Sequence, residues 1–425
     1  MDDLGDEAVY DATRLEQPGA GHVRQDGMTR RRVLGAVGAA SLAGTALPAL
    51  AGPAQAETTP PGPIIKPLPT DEFYVYGSNA ETRWEVLRDK GYFVPNEQFF
   101  VRDHSSTPLI DATSWTLSVF GTGLRNSPTA GNPVRFTYEQ LRRLPARTVV
   151  SFIECAGNGR SFFATQQSEV VAGTAWKLGA IGVAAWRGVP LSLILERAGL
   201  TRAAVDVMPY GLDPDYVTGG VNYGQVRRPI PVEKALDDVI LAYEMNGKPL
   251  PPDSGFPVRA IVPQWAGIAN IKWVGQIEVS ATPLVSYWNT QAYRLFGPSY
   301  PADGTLVTQQ VVKSAFELEW GAQLPARKPY LLTGRSWSGH GPIAHTEIST
   351  DGGKTWHHAV PRDSNFALPD GWQLWEYPWV TPAPGPYHLQ ARATDITGRT
   401  QPVTAVYNTG GYLFDGIVQH PVTTA

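Results

Sequence analysis

Between residues 329 and 403 the chain reads in steps of two. "PYLLTGRSWSG", "IAHTEISTDGGKTWHHAV" and "YHLQARATDITGRTQPV" alternate apolar and polar positions, and Asp351-Gly352-Gly353 interrupts the second run. A period of two buries one face of a strand and wets the other, whereas a helix would scatter the same residues around its axis. Asp-Gly-Gly is turn chemistry, because glycine accepts the positive φ of tight hairpins. Residues 306 to 408 are therefore predicted to be all-β, with strand spacing that suits an immunoglobulin-like sandwich of about 110 residues. Beyond them "YNTGGYLFDGIVQHPV" is a short tail, expected to return and pack.

Upstream the periodicity is mixed. "WTLSVFG" (115 to 121) and "RTVVSFIEC" (147 to 155) are strand-like, while "TYEQLRRL" (137 to 144) and "LSLILERAGL" (191 to 200) have helical spacing with Thr137 and Pro190 as starts. The 43 Gly, 37 Pro and 13 Trp of the 425 residues favour strands, turns and irregular loops over long helices. Residues 71 to 285 thus read as an α+β unit. A Pro-rich lead-in covers 57 to 70, and an aromatic connecting segment, 286 to 305, carries "SYWNTQAYRLFGPSYPADG" before the β unit of 306 to 425.

The N-terminus reads as an address. "TRRRVLGAVGAASLAGTALPALAGPAQAE" combines Arg30, Arg31 and Arg32 with a short apolar run and an Ala54-Gln55-Ala56 cleavage signal, the pattern of a twin-arginine export peptide over residues 1 to 56. Residues 1 to 27 are acidic and patternless, which makes Met28 an alternative start to Met1. The expected location is periplasmic or extracellular, with no stable membrane span after signal removal, since Ser41, Thr45 and Pro48 break the apolar run. Net charge is −4, and because residues 1 to 56 carry five basic and seven acidic residues the remainder stands at −2. That balance gives no footprint for nucleic acid.

Exported chains ordinarily use cysteines in disulfide pairs, and this one holds a single cysteine, Cys155 in "SFIECAGNGR". It is either an inert buried thiol or a functional one. No GxxxxGK[ST] and no strand-to-helix GxGxxG is present, which disfavours a nucleotide site. His104 alone among the histidines falls in the mixed unit, whereas His340, His345, His357 and His358 lie in the β unit and read as exposed strand or loop residues. His104 could pair with Cys155 in a hydrolase, but no signature supports that. The loop after Cys155 is built of small residues and ends at Arg160, so a bulky ligand can approach its backbone N–H groups. A thiol in such electropositive surroundings suits the thiolate form, a soft metal ligand.

"FIECAGNGR", with "NEQFFVRDH" (96 to 104), "GTAWKLGAIGVAAWRGVPL" (173 to 191), "VILAYEMNGKPLPPDSGFPVRAIVP" (239 to 263) and "IKWVGQIEV" (271 to 279), resembles the sulfite oxidase family of molybdopterin-dependent oxidoreductases. "GRSWSGHGPIAHTEISTDGGKTW" (334 to 356) is similar to that family's dimerisation domain. The resemblance covers most of residues 71 to 415. It implies a molybdopterin-binding catalytic domain at 71 to 285, a homodimer through the sandwich, and one molybdenum with a single molybdopterin ligated by Cys155. It further implies that Arg102, His104, Asp213, Arg259 and Lys272 hold the pterin or its phosphate. Arg102, Arg160, Trp176 and Tyr293 match the positions that line the substrate end. The implied reaction is oxidation of sulfite, or a related small sulfur oxyanion, to sulfate by oxo transfer, with electrons passed to an external acceptor such as cytochrome c. One cysteine rules out a CxxCH attachment, so no haem is expected in this chain.

The chain departs from the family pattern at three places. "YNTGG" puts Gly410 where an arginine is typical, Ser254 replaces a histidine before "GFPVR", and Ala269 replaces an arginine before the "KW" pair. Gly410 opens a second reading, the same cofactor acting on sulfane sulfur or reducing an S-oxide. A non-catalytic exported binding protein is the reading from another class.

Overall fold

The computed structural model describes residues 63 to 362 and 368 to 425, so the export signal expected at 1 to 56 lies outside the described residues. The chain is mostly sheet, with few and short helices. One five-stranded sheet runs in the order Ile230–Pro231, Asp206–Gly211, Val274–Ser280, Thr116–Phe120, Val134–Thr137. Val274–Ser280 lies parallel to Thr116–Phe120, with Ile277 opposite Val119, and the other pairs are antiparallel. A second, antiparallel sheet runs Lys248–Pro249, Ile240–Met245, Ile181–Pro190, Arg147–Glu154, and Arg259–Ile261 also pairs with Ile240–Met245.

This second sheet is buried on both faces, which is why its strands read as apolar runs rather than alternations. Ile240 and Ala242 enter one core, while their neighbours Leu241 and Tyr243 enter another with Leu191, Ile194 and Leu195 of the helix Leu191–Ala198. That helix starts after Pro190 and ends at Gly199, whose φ of +90° is cheap only for glycine. Thr137 starts the helix Tyr138–Arg142 through a capping box: Gln140 N–H donates to Thr137 Oγ1 at 3.2 Å, and Thr137 N–H to Gln140 Oε1 at 2.9 Å.

The later residues form two facing sheets. One is ordered Lys313–Phe316, Pro329–Trp337, Gln373–Val380, Val360–Pro361; the other Ala322–Leu324, His420–Thr424, Gly385–Asp395, Ile343–Ser349, His357–His358. Phe316, Leu332, Ile348, Trp375, Leu389 and Val422 fill the space between. The alternation at 343 to 358 is a strand pair, but Ile348 faces His357, so the connection is longer than a two-residue hairpin. Asp351 organises it, accepting from Thr355 Oγ1 at 2.7 Å and from Thr355 N–H and Lys354 N–H at 3.0 Å each, and these bonds, the Thr355 hydroxyl first, hold its carboxyl well below the usual range. His357 and His358 are exposed and His345 is partly so. The tail does return: His420–Thr424 is an internal strand, parallel to Ala322–Leu324.

The two regions share a core. Trp84 stacks on Trp337 at 5.8 Å and lies 6.2 Å from Trp372, within a buried cluster that also holds Phe152, Trp176 and Trp186. Among the described residues no helix is long and apolar enough to cross a membrane.

Candidate active site

Cys155 follows directly on the last residue of the strand Arg147–Glu154. Its N–H donates to Ala180 O at 2.9 Å, and its carbonyl accepts from Asn158 N–H at 2.9 Å, closing the small-residue turn. Packing leaves no room for larger residues around that turn. A Cβ on Gly267 would lie 2.8 Å from Glu154 O, and one on Gly157 would lie 2.5 Å from the Arg160 guanidinium. Glu154 is wholly buried and satisfied by Lys313 Nζ (2.8 Å), Asn158 Nδ2 (2.8 Å) and Trp337 Nε1 (2.9 Å), so both sheet regions hold the strand end that presents the thiol.

Cys155, 6% exposed, opens into a cleft that it shares with Arg102, His104, Asp213, Arg259, Lys272 and Tyr293. Seven of the nine expected site residues therefore converge. Arg102 Nη2 donates to His104 Nε2 at 2.7 Å, and Tyr293 Oη lies 3.0 Å from the same nitrogen. A guanidinium can only donate, so Nε2 accepts and the imidazole is neutral with its proton on Nδ1. Burial, then Arg102 and Lys272, hold His104 well below the usual histidine pKa, which agrees with that tautomer. The same burial pushes the Tyr293 hydroxyl above its ordinary range. Tyr293 reaches the cleft from an irregular segment with φ of +55°. Its neighbour Arg294, 1% exposed, ties that segment down through the carbonyls of Asn289, Asp303 and Gly304.

Asp213, Arg259 and Lys272 line the same cleft. Lys272 pairs with Asp103 and donates to Asp253 O at 2.9 Å. Arg259 donates from Nη1 to Ser254 O at 2.9 Å and from Nη2 to Asn270 O at 3.1 Å, and burial lowers its pKa to about 9. Two of the three substituted family positions thus fall at the grip on Arg259: Ser254 supplies one carbonyl and Ala269 precedes Asn270, which supplies the other. Two polar atoms remain buried and unpartnered here, Arg259 Nε and Asp213 Oδ1. Asp213 accepts from Val226 N–H at 3.3 Å, and burial raises its pKa to about 6. One buried donor and one buried acceptor facing a cleft with a thiol fit a polar fused-ring cofactor carrying its own metal ligands, because such a group would satisfy both.

Arg160 and Trp176 are not among the residues lining the cleft. Arg160 donates from Nε to Gly410 O at 2.9 Å and from Nη1 to Thr174 O at 3.0 Å, and it faces the Tyr412 ring at 5.2 Å. Trp176 is fully buried, edge-on to Tyr76 at 5.5 Å, with its indole N–H unpartnered. Sequence reasoning missed Asp103, Asp253 and Tyr412. Asp103 was legible inside "FVRDH", directly after the short strand Val101–Arg102. Asp253 had no local signal, since its partners are Ile65 N–H, Lys66 N–H and Thr107 Oγ1, more than 140 positions away.

Residues 104–288 match the family described as "Oxidoreductase molybdopterin binding domain", and residues 307–416 the one described as "Mo-co oxidoreductase dimerisation domain". The chain is 32% identical over 354 residues to the mitochondrial sulfite oxidase of Mus musculus, covering 79% of this chain and 62% of that protein. It is 34% identical over 358 residues to the sulfite oxidase of Gallus gallus, covering 79% of this chain and 74% of that one. Among solved structures it resembles the sulfane dehydrogenase SoxCD of Paracoccus pantotrophus, at 28% identity and a TM-score of 0.67, over 80% of this chain and 83% of the other. With the mouse protein the chain shares about three-fifths of that protein's length. Matches this long, through the motifs that build the cleft, show that the chain belongs to the sulfite oxidase family of molybdopterin-dependent oxidoreductases.

Proposed function

We propose that this protein oxidises a small sulfur oxyanion, with sulfite as the reference substrate, and passes the electrons to an external one-electron acceptor such as cytochrome c. The observation that carries the reading is the convergence of Cys155 with the Arg102, His104 and Tyr293 chain in one cleft. Molybdenum with its molybdopterin supplies oxygen-atom transfer to sulfur and storage of two electrons when bound. Cys155 is the residue that would ligate the metal, and Arg259, Asp213 and Lys272 would hold the pterin. Arg102 supplies a fixed positive charge for an oxyanion. His104, kept neutral and accepting, orients both Arg102 and the Tyr293 hydroxyl, so the donor set is assembled before substrate arrives.

We further propose a homodimer formed through the immunoglobulin-like unit of 306 to 425, and export by the twin-arginine route to the periplasm or beyond. The dimerisation-domain match supports the first, and the Arg30-Arg31-Arg32 signal supports the second. A second substrate reading, oxidation of sulfane sulfur, is favoured by Arg160 being engaged by Gly410 O rather than lining the cleft.

The test is paired. Molybdenum content and sulfite-dependent cytochrome c reduction are measured on protein matured in a pterin-competent host and on Cys155→Ser. Metal with activity in the wild type, and loss of turnover in folded Cys155→Ser, are the expected results. Undiminished turnover in Cys155→Ser, or wild-type protein devoid of molybdenum, overturns the assignment.

A further inference from the structure

We propose that Asp253 is a positioning residue of the cofactor site, fixed in place by a strap of residues 63 to 66 within the Pro-rich lead-in. The inference rests on the reading above that Arg259 and Lys272 hold the pterin. Asp253, 4% exposed, lies in the short turn Pro252–Ser254 and lines the cleft. Each carbonyl of that turn holds a different cleft residue: Pro252 O accepts from Trp273 Nε1 at 2.8 Å, Asp253 O from Lys272 Nζ at 2.9 Å, and Ser254 O from Arg259 Nη1 at 2.9 Å. Gly255 follows the turn with φ of +105°, and a Cβ there would lie 3.0 Å from Arg259 Cβ and 3.1 Å from Lys272 Cβ. At that packing a shift of the turn is passed on to both side chains.

The bonds that set the turn come from far along the chain. The two carboxyl oxygens of Asp253 accept Ile65 N–H at 2.9 Å and Lys66 N–H at 2.8 Å, and Oδ1 also accepts from Thr107 Oγ1 at 2.7 Å. Thr107 donates its own N–H to Pro63 O at 2.9 Å, so it grips the strap and the carboxyl together. Lys66 Nζ donates to Glu97 O at 3.0 Å and to Phe99 O, and Phe99 lines the cleft as well. Both oxygens of Asp253 face these donors, so its side chain acts on a cofactor through the turn and not by contact. Loosening the strap frees the turn, and the guanidinium and ammonium that it orients then lose the fixed geometry that binding a polar ring or a phosphate requires.

The test reads cofactor retention apart from turnover. Wild type, Asp253→Asn and Ile65→Pro, each alone and combined with Arg259→Met, are matured in a pterin-competent host. Pterin released over time is measured by its fluorescence after oxidation. Asp253→Asn keeps the size of the side chain and one accepting oxygen. Ile65→Pro deletes one strap N–H and leaves the turn's own sequence intact, so it carries the test if Asp253→Asn fails to fold. Each should release pterin about tenfold faster than wild type, the effect expected for one lost hydrogen bond to a charged group. In the Arg259→Met background, where part of the grip is already gone, the same substitutions should accelerate release by a smaller factor. Wild-type release rates in both variants, or an acceleration that Arg259→Met leaves undiminished, as a merely structural role would, overturns the inference. Wild type that carries no pterin fails the cofactor reading itself, whereas loaded wild type with variants that release at its rate removes only the role of Asp253 and the strap.

Discussion

Lys313 Nζ lies 2.8 Å from Glu154 Oε1, and the two side chains are 1% and 0% exposed. Lys313 belongs to the first strand of the sandwich and Glu154 to the residue before Cys155, so a buried ion pair joins the two regions at the thiol. Lys313 also donates to Asn158 O at 3.0 Å, on the far side of the Cys155 turn.

Removing one partner of such a pair strands a charge in an interior that cannot solvate it. Lys313→Met is expected to cost about 3 to 5 kcal/mol of stability, and to lower molybdenum retention because the Cys155 turn loses its brace. Denaturant unfolding with metal analysis checks both. The double variant Glu154→Gln with Lys313→Met should be less destabilised than Lys313→Met alone; equal loss would mean that the charge is not the cause.

Tyr293→Phe removes a hydroxyl that sits 3.0 Å from His104 Nε2 and keeps the ring that stacks on Tyr412. Stability should change by about 1 kcal/mol or less. Turnover should fall by about tenfold or more, with the larger effect on kcat/KM. Steady-state kinetics beside a melting curve separates the two effects.

Asp213 Oδ1 would lie 2.1 Å from a Cβ on Gly211, so Gly211→Ala must push the carboxyl aside. If that unpartnered oxygen receives a cofactor N–H, both Gly211→Ala and Asp213→Ala will copurify with less pterin than wild type. Fluorescence of the oxidised pterin released from each protein measures it. Full retention in both would remove Asp213 from the cofactor grip.

Burial lowers the His420 pKa from its ordinary value of 6.5 to about 4, against a weaker upward pull from its hydrogen bond to Glu319 O at 3.0 Å. The unfolded chain therefore binds a proton that the folded one refuses, and stability falls as pH drops from 6.5 towards 4. His420→Gln should flatten the dependence of Tm on pH in that window, whatever its effect on Tm at neutral pH. An unchanged slope would show that other groups control the acid limb.

The strand leading to Cys155, the helix starts at Thr137 and Pro190, and the alternating runs beyond 329 were all legible in the sequence, because each depends on neighbours within a few positions. Likewise the motifs around Cys155, Arg102, His104, Arg259 and Lys272 marked a common site, since residues of those types recur in fixed local contexts. Where reading stopped was at Asp253 and Tyr412. Neither lies in a local pattern that betrays its partners, and both act on groups far away in the chain. Arg160 and Trp176 match the family's substrate end in sequence, yet one bonds to main-chain carbonyls and the other is sealed beside Tyr76.

By itself, then, the sequence determined the local conformations, the single thiol and the chemical types assembled for an oxyanion and a polar cofactor, since these follow from periodicity, turn chemistry and composition. Only the tertiary structure decided which charges stay available. Arg102 lines the cleft and Arg160 lies outside its lining because the loop of Gly410 and Tyr412, some 250 positions after Arg160, folds back onto the Cys155 turn and takes the Arg160 guanidinium as its own partner. Burial at that distance along the chain has no local signature, and burial is what sets whether a guanidinium can meet a ligand.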